Sequence, residues 1–97
     1  MVRVVFVAPF AADTTLRFAR STAELADVRM ALVSQEAPER LPAELRERLV
    51  GFRRVGDAMD ARELEAAVRS LEAELGGKAE RLIGVLEQLQ VPLAEAR

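Results

Sequence analysis

Neither cysteine nor histidine occurs in this chain of 97 residues, and lysine occurs once, at Lys78. Without cysteine there can be no disulfide and no thiolate metal site. Without histidine, the usual zinc ligand and the usual general base near neutral pH are both missing. Long hydrophobic runs are lacking too. The apolar opening MVRVVFVAPF is too short for a membrane span, and no small-residue cleavage site follows a long hydrophobic stretch. Low-complexity tracts and internal repeats do not stand out. A net charge of −2 gives no strongly basic face of the kind a phosphate-backbone binder needs. These features fit a cytoplasmic protein that binds neither nucleic acid nor a membrane.

What is present is a globular composition, 51% apolar and 31% charged, which argues against disorder. The basic residues are nearly all arginine and alanine is abundant, a pattern read as the coding bias of a GC-rich genome. A chain this long forms one domain, residues 1–97, and buries roughly 60–65% of its unfolded surface. Val2–Ala8 is a short, nearly continuous β-branched and aromatic run that suits a strand covered on both faces. After the loop Pro9-Phe10-Ala11-Ala12, Asp13 or Thr14 can cap a helix that buries Leu16, Ala19 and Ala23, with Phe18 as a further candidate. Val28–Ser34 reads as a second strand of the same character. Pro42 suits the first position of a second helix, Leu45 and Leu49 fall on one of its faces, and Gly51 ends it. Phe52–Val55 is a short third strand, whose Arg53 and Arg54 suggest a sheet edge. Asp60 and Glu63 form the acidic version of a capping box. Behind them Leu64, Ala67, Val68, Leu71 and Leu75 form a helical stripe that Gly76-Gly77 terminates. Arg81–Glu87 is the fourth strand, and QLQVPLAEAR starts a last helix.

The order β-α-β-α-β-α-β-α predicts a small open parallel α/β sheet of four strands with helices on both faces. The expected strand order is 3-2-1-4, as in half a Rossmann domain. Ligands of such sheets gather at the carboxyl ends of the strands. The loop after the first strand, APFAADTT, has no glycine, which excludes a dinucleotide fingerprint and a P-loop. A receiver domain is excluded because the first strand ends in Ala-Pro-Phe and Asp57 has no acidic partners for Mg²⁺. Glu44, Glu47, Glu63, Glu65, Glu72 and Glu74 each lie within helical reach of an arginine, so they read as a solvated face. Glu87 stands apart, at the end of an apolar strand and facing the presumed cleft. Two readings of it stay open, a functional carboxylate or a residue that favours the positive end of the last helix. No nucleophile, metal cluster or oxyanion arrangement accompanies it.

The stretches VVFVAPFAADTTLRFAR, VRMALVSQEAPERLPAELR and RLIGVLEQLQVPLAEAR resemble the N-terminal, biotin-carboxylase-like "pre-ATP-grasp" domain of bacterial ATP-grasp ligases and carboxylases. The likeness runs along the whole chain, and its most distinctive part is the strand–Glu–helix at the end. It implies a domain that packs on a downstream ATP-grasp core of the same polypeptide and lines the acceptor-substrate side of the cleft. By position, Glu87, Pro9, Phe10 and Asp13 correspond to that wall. The resemblance implies no catalytic residue and no metal ligand in this chain, since ATP and Mg²⁺ are held by the later part of the full-length protein. The chain is accordingly expected to be a fragment, inactive alone. The aliphatic fourth strand at a sheet edge invites cover by the missing segments or by a second copy in a homo-oligomer. The alternative is a stand-alone, non-catalytic interaction module on a Rossmann-like scaffold. An unrelated small nucleotide-binding domain is disfavoured by the missing glycines.

Overall fold

The computed structural model describes residues 2–10 and 13–84. Strands and helices alternate as β1 (Val2–Val7), α1 (Asp13–Ala23), β2 (Val28–Ser34), α2 (Ala43–Arg48), β3 (Leu49–Arg54), α3 (Ala61–Leu75) and β4 (Arg81–Gly84). The sheet is parallel throughout and its order is β3-β2-β1-β4, as the sequence predicts. The expected last helix and the end of the fourth strand, Glu87 included, lie outside the described residues.

β1 sits at the centre because its side chains can be buried on both faces. Val4, Phe6 and Ala8 point to one face and pack with Leu16 and Ala19 of α1 and Leu45 of α2. Val5 and Val7 point to the other and pack with Leu64, Ala67, Leu71 and Leu75 of α3. Alternation along a strand produces this two-sided burial. Each leucine of the α3 stripe contributes about 2 kcal/mol through the surface it takes out of water. Phe18 does not join the core; it is 55% exposed. It lies two residues, or about 200° of helical rotation, from buried Leu16, so α1 turns it away from the sheet.

β3 departs from expectation. It begins at Leu49, not Phe52, and α2 is correspondingly short. Gly51 therefore ends no helix. It is a strand residue, paired with Ala31, while Leu49 pairs with Met30. Val50 is the extra residue of a bulge between those two pairs, which turns Val50 toward the α3 face while Leu49 and Phe52 stay on the other. At Gly51, α3 approaches so closely that a β-carbon would lie 2.8 Å from Leu71 Cδ2 and 3.3 Å from Glu74 Cβ. Close approach, not a turn, is what glycine permits here. On the free side of β3 an open groove of about 230 Å³ is lined mainly by Leu41, Leu49, Val50 and Phe52, with Arg46 at its rim.

The start of α3 follows the expected capping chemistry in part. Asp60 Oδ1 accepts the N–H groups of Arg62 (2.8 Å) and Glu63 (3.4 Å). At the other end Gly76 adopts a left-handed φ of 83°, and its N–H donates to the carbonyls of Glu72 and Ala73. The last turn of α3 has no basic residue, although Glu72 and Glu74 lie close to the negative end of the helix dipole. Arginines from the strands compensate. Arg53 donates from Nη2 to Glu74 Oε1 (2.8 Å) and to the Ser70 carbonyl (3.0 Å), and from Nε to Ser70 Oγ (3.0 Å). Arg29 donates to the Glu74 carbonyl at 3.0 Å, and Arg3 to the Lys78 carbonyl at 2.6 Å.

The Arg53 hydrogen bond holds the Glu74 carboxyl below its ordinary value of 4.5, with help from a backbone hydrogen bond and the guanidinium charge and against a smaller effect of burial. A carboxylate whose folded pKa is depressed adds stability above its unfolded pKa. That stability is lost as the pH falls through the lower, folded value. Arg53→Gln should therefore flatten the decline of stability with falling pH below about 4.5, measured as urea midpoints across a pH series. Identical pH slopes in the variant and the parent would show that the pair adds nothing to acid stability.

Candidate functional site

The carboxyl ends of the strands converge on one edge, and local hydrogen bonds fix how each loop leaves the sheet. Pro9 is buried, and its carbonyl accepts the Gln35 N–H at 3.1 Å and the Ser34 hydroxyl at 3.2 Å. Ser34 Oγ in turn accepts the Glu36 N–H at 3.1 Å. One buried hydroxyl thus ties the loop after β1 to the loop after β2, and satisfies its own polar group in doing so. The tie holds the chain rigidly up to Pro9, and Phe10 then projects with 57% of its surface exposed.

Beside this, Gln35 links β2 to the turn after β3. Its side-chain carbonyl accepts the Ala58 N–H at 2.8 Å, and its main-chain carbonyl accepts Arg54 Nε at 2.9 Å. Glu63 belongs to the same turn. One carboxylate oxygen accepts the Gly56 N–H and the other the Asp57 N–H, each at 3.0 Å. It therefore does not close a reciprocal box on Asp60, whose N–H donates to the Asp57 carbonyl. Nor is Glu63 one of the solvated helix-face acids. It spans from the first turn of α3 to the end of β3. Asp57 Oδ1 accepts the Met59 N–H at 2.9 Å, which makes Asp57 a turn residue.

Of the residues expected in the site, Pro9 and Phe10 lie at the edge, and Asp13 opens α1 close by in sequence. Glu87 lies outside the described residues. Val7 pairs with Gly84, so the carboxyl end of β1 lies beside the last described residue of β4. The reading of the remaining acids as ion-paired surface holds for Glu65, paired with Arg69 one turn on. Two of them find arginines on other elements instead. Glu44 of α2 meets Arg20 of α1 at 3.1 Å, and Glu74 meets Arg53 of β3. Helical spacing cannot reveal partners that the sheet brings together. The roles of Ser34 and Gln35 were missed for the same reason: a serine and a glutamine after a strand give no signal until the neighbouring loop is in place. Among the described residues no group of three or more acidic side chains is placed to hold a metal ion. Nor is any helix among them long and apolar enough to cross a membrane.

No protein-family model matches the chain. No curated protein sequence matches it either. Among solved structures, the chain is similar to one described as an adenylation, ketoreductase and pseudo-Asub multidomain structure of a keto acid-selecting NRPS module. The TM-score is 0.61 at 12% identity, over 98% of this chain and 10% of that one. At that identity the likeness concerns the fold alone, and this chain spans about a tenth of the length of that protein.

The carboxylate of Glu63 ties the β3–α3 turn to α3 through two main-chain N–H groups, so its removal has a defined cost. Glu63→Ala should destabilise the domain by about 1 kcal/mol, seen as a lowered urea midpoint with an unchanged slope. An unchanged midpoint would mean that water replaces the carboxylate without loss.

Proposed function

We propose that this chain is the N-terminal, pre-ATP-grasp domain of an ATP-grasp ligase or carboxylase. In this reading it packs on a downstream ATP-grasp core of the same polypeptide and lines the acceptor-substrate side of the cleft, without catalysing a reaction alone. The observation that carries the proposal is the juxtaposition of β1 and β4, with Val7 opposite Gly84, at the point where the strand order reverses. In open parallel sheets that point is where ligands bind. Phe10 lies three residues beyond Val7, and Glu87 three residues beyond Gly84. Phe10 is exposed beside this juxtaposition, and Glu87 follows it closely in sequence. Pro9, clamped by Ser34 and Gln35, supplies a rigid base for that wall, and Asp13 follows it at the start of α1.

In this reading ATP and Mg²⁺ bind to the downstream domain. The absence of glycine from the sequence between β1 and α1 supports placing the phosphates elsewhere. Lys78 lies at the opposite end of the sheet, with its carbonyl held by Arg3. No step of nucleotide chemistry is therefore assigned to this chain. Its part is to shape and position, and the terminal strand β4 is a natural seam for the downstream core or a second copy.

A second reading, a non-catalytic interaction module, draws on the apolar groove beside β3. Two measurements test the first reading, and the downstream reading frame separates it from the second. The 97-residue chain should show no heat of Mg-ATP binding in a calorimeter, and tight binding there would contradict the assignment of ATP to a downstream domain. In the protein extended through its own downstream reading frame, Glu87→Ala should impair kcat or KM for the acceptor substrate and leave the KM for ATP unchanged. A downstream reading frame without an ATP-grasp core would favour the interaction module, and an unaltered acceptor KM and kcat would reduce Glu87 to a helix-terminus residue.

A further inference from the structure

The groove beside β3 lies at the opposite side of the sheet from the β1–β4 seam, and the pre-ATP-grasp reading does not use it. β3 is the terminal strand on this side. The Val55 N–H donates to the Ser34 carbonyl at 2.8 Å, so the backbone groups of Val55 and Arg53 point toward β2. Alternation then directs those of Phe52 and Arg54 outward, to the free edge. The Phe52 carbonyl there is occupied by Arg53 Nη1 at 2.8 Å. Such an edge admits an added strand only selectively: the docking strand must displace this guanidinium from the Phe52 carbonyl, and the bulge at Val50 confines regular pairing to the Phe52–Arg54 end.

The side chains along the edge are apolar in the middle and basic at the ends. Leu49, Val50 and Phe52 are half-buried and, with Leu41, form the groove of about 230 Å³, room for a large side chain. Arg46 stands at its rim on the α2 side. Arg53 and Arg54 stand at the far end, where Arg54 is exposed and makes its hydrogen bond through Nε to a carbonyl. Arg46 is exposed and forms no ion pair among the described residues. This distribution decides against a second copy of the chain. Two β3 edges pairing antiparallel would set Arg46 of one against Arg53 and Arg54 of the other at both ends. Pairing parallel would set like on like. Either arrangement places cations opposite cations.

We infer that the β3 edge is a docking site for an extended polypeptide segment with an apolar centre and acidic ends. The segment adds as a strand beside β3, seats a large apolar side chain in the groove, and pairs its carboxylates with Arg46 at one end and Arg54 at the other. Backbone pairing gives affinity, while the groove and the two arginines give specificity.

The test uses three end-blocked, fluorescein-labelled peptides, EEVFVTEE, KKVFVTKK and EESGSGEE, titrated with the 97-residue chain by fluorescence anisotropy. The first should bind saturably, and the other two about tenfold or more weakly. Arg46→Glu combined with Arg54→Glu should weaken the first about tenfold, since each exposed ion pair contributes up to about 1 kcal/mol and its reversal costs more. Both arginines are exposed, and far-UV circular dichroism would check that the variant keeps its fold. The proposal is overturned if EEVFVTEE shows no saturable binding at millimolar protein. It is overturned equally if the three peptides bind alike or if the double variant binds as the parent does. Self-association that the double variant strengthens would place a second copy on this edge and also overturn it. None of these outcomes depends on Glu87 or on ATP, so the proposed function stands or falls separately.

Discussion

Burial of β1 on both faces is the constraint from which the rest of the domain follows. Val4, Val5, Phe6 and Val7 are at most 2% exposed, and no single layer of helices could achieve that. A strand whose side chains alternate between two apolar surfaces requires cover above and below. α1 and α2 supply one layer and α3 the other. Because parallel crossovers are right-handed, a chain that lays two helices on one face and then one on the other must reverse its direction along the sheet. That reversal is the order β3-β2-β1-β4, and it sets β1 and β4 side by side, with Val7 beside Gly84. The position of the candidate site is thus a consequence of core packing.

The polar groups divide into two sets at the two ends of the sheet. At the amino end, Arg3 and Arg29 reach from β1 and β2 to the carbonyls of Lys78, just past α3, and of Glu74 in its last turn, while Arg53, near the carboxyl end of β3, reaches back to the Glu74 carboxylate. They do what a basic last turn would do within the helix, and they fix the approach of α3 to Gly51 at the same time. At the carboxyl end, Ser34, Gln35 and Glu63 hold loop backbone, so the loops beside the seam are preorganised. Preorganised loops on a rigid sheet are a scaffold that can present groups without moving, which suits a domain that shapes a cleft.

How far the sequence foretells this depends on the range of the interaction. β1 and β2 are legible because continuous apolar runs leave no other covering than helices on both sides. The α3 stripe and its caps at Asp60 and Gly76 are legible because their signals are local. Phe18 is misplaced by hydrophobicity alone, since its angle on α1 points away from Leu16. The start of β3 is misplaced because Gly51 resembles a helix stop, whereas the sheet recruits Leu49 to Met30 and needs glycine for the approach of Leu71. Within the site, Pro9 and Phe10 were readable as loop residues at a strand end. The clamp of Ser34 and Gln35 was not, because it exists only after β1 and β2 are paired.

The two edges of the sheet face different demands. An unprotected parallel edge tends to recruit any extended chain, and charged residues on or beside the strand limit that tendency. On β3 the protection is substantial: arginines at both ends, one of them bonded to the strand's own carbonyl, and a bulge at Val50 that breaks the regular ladder. On β4 the described strand has four residues, of which only Arg81 is charged, and Leu82 is buried against the α3 layer. If β4 is covered as the proposed function has it, no charge is required there. An edge that has a permanent neighbour can remain apolar. An edge that must choose its neighbours uses charge to do so, because like charges exclude a second copy and opposite charges admit a complementary segment.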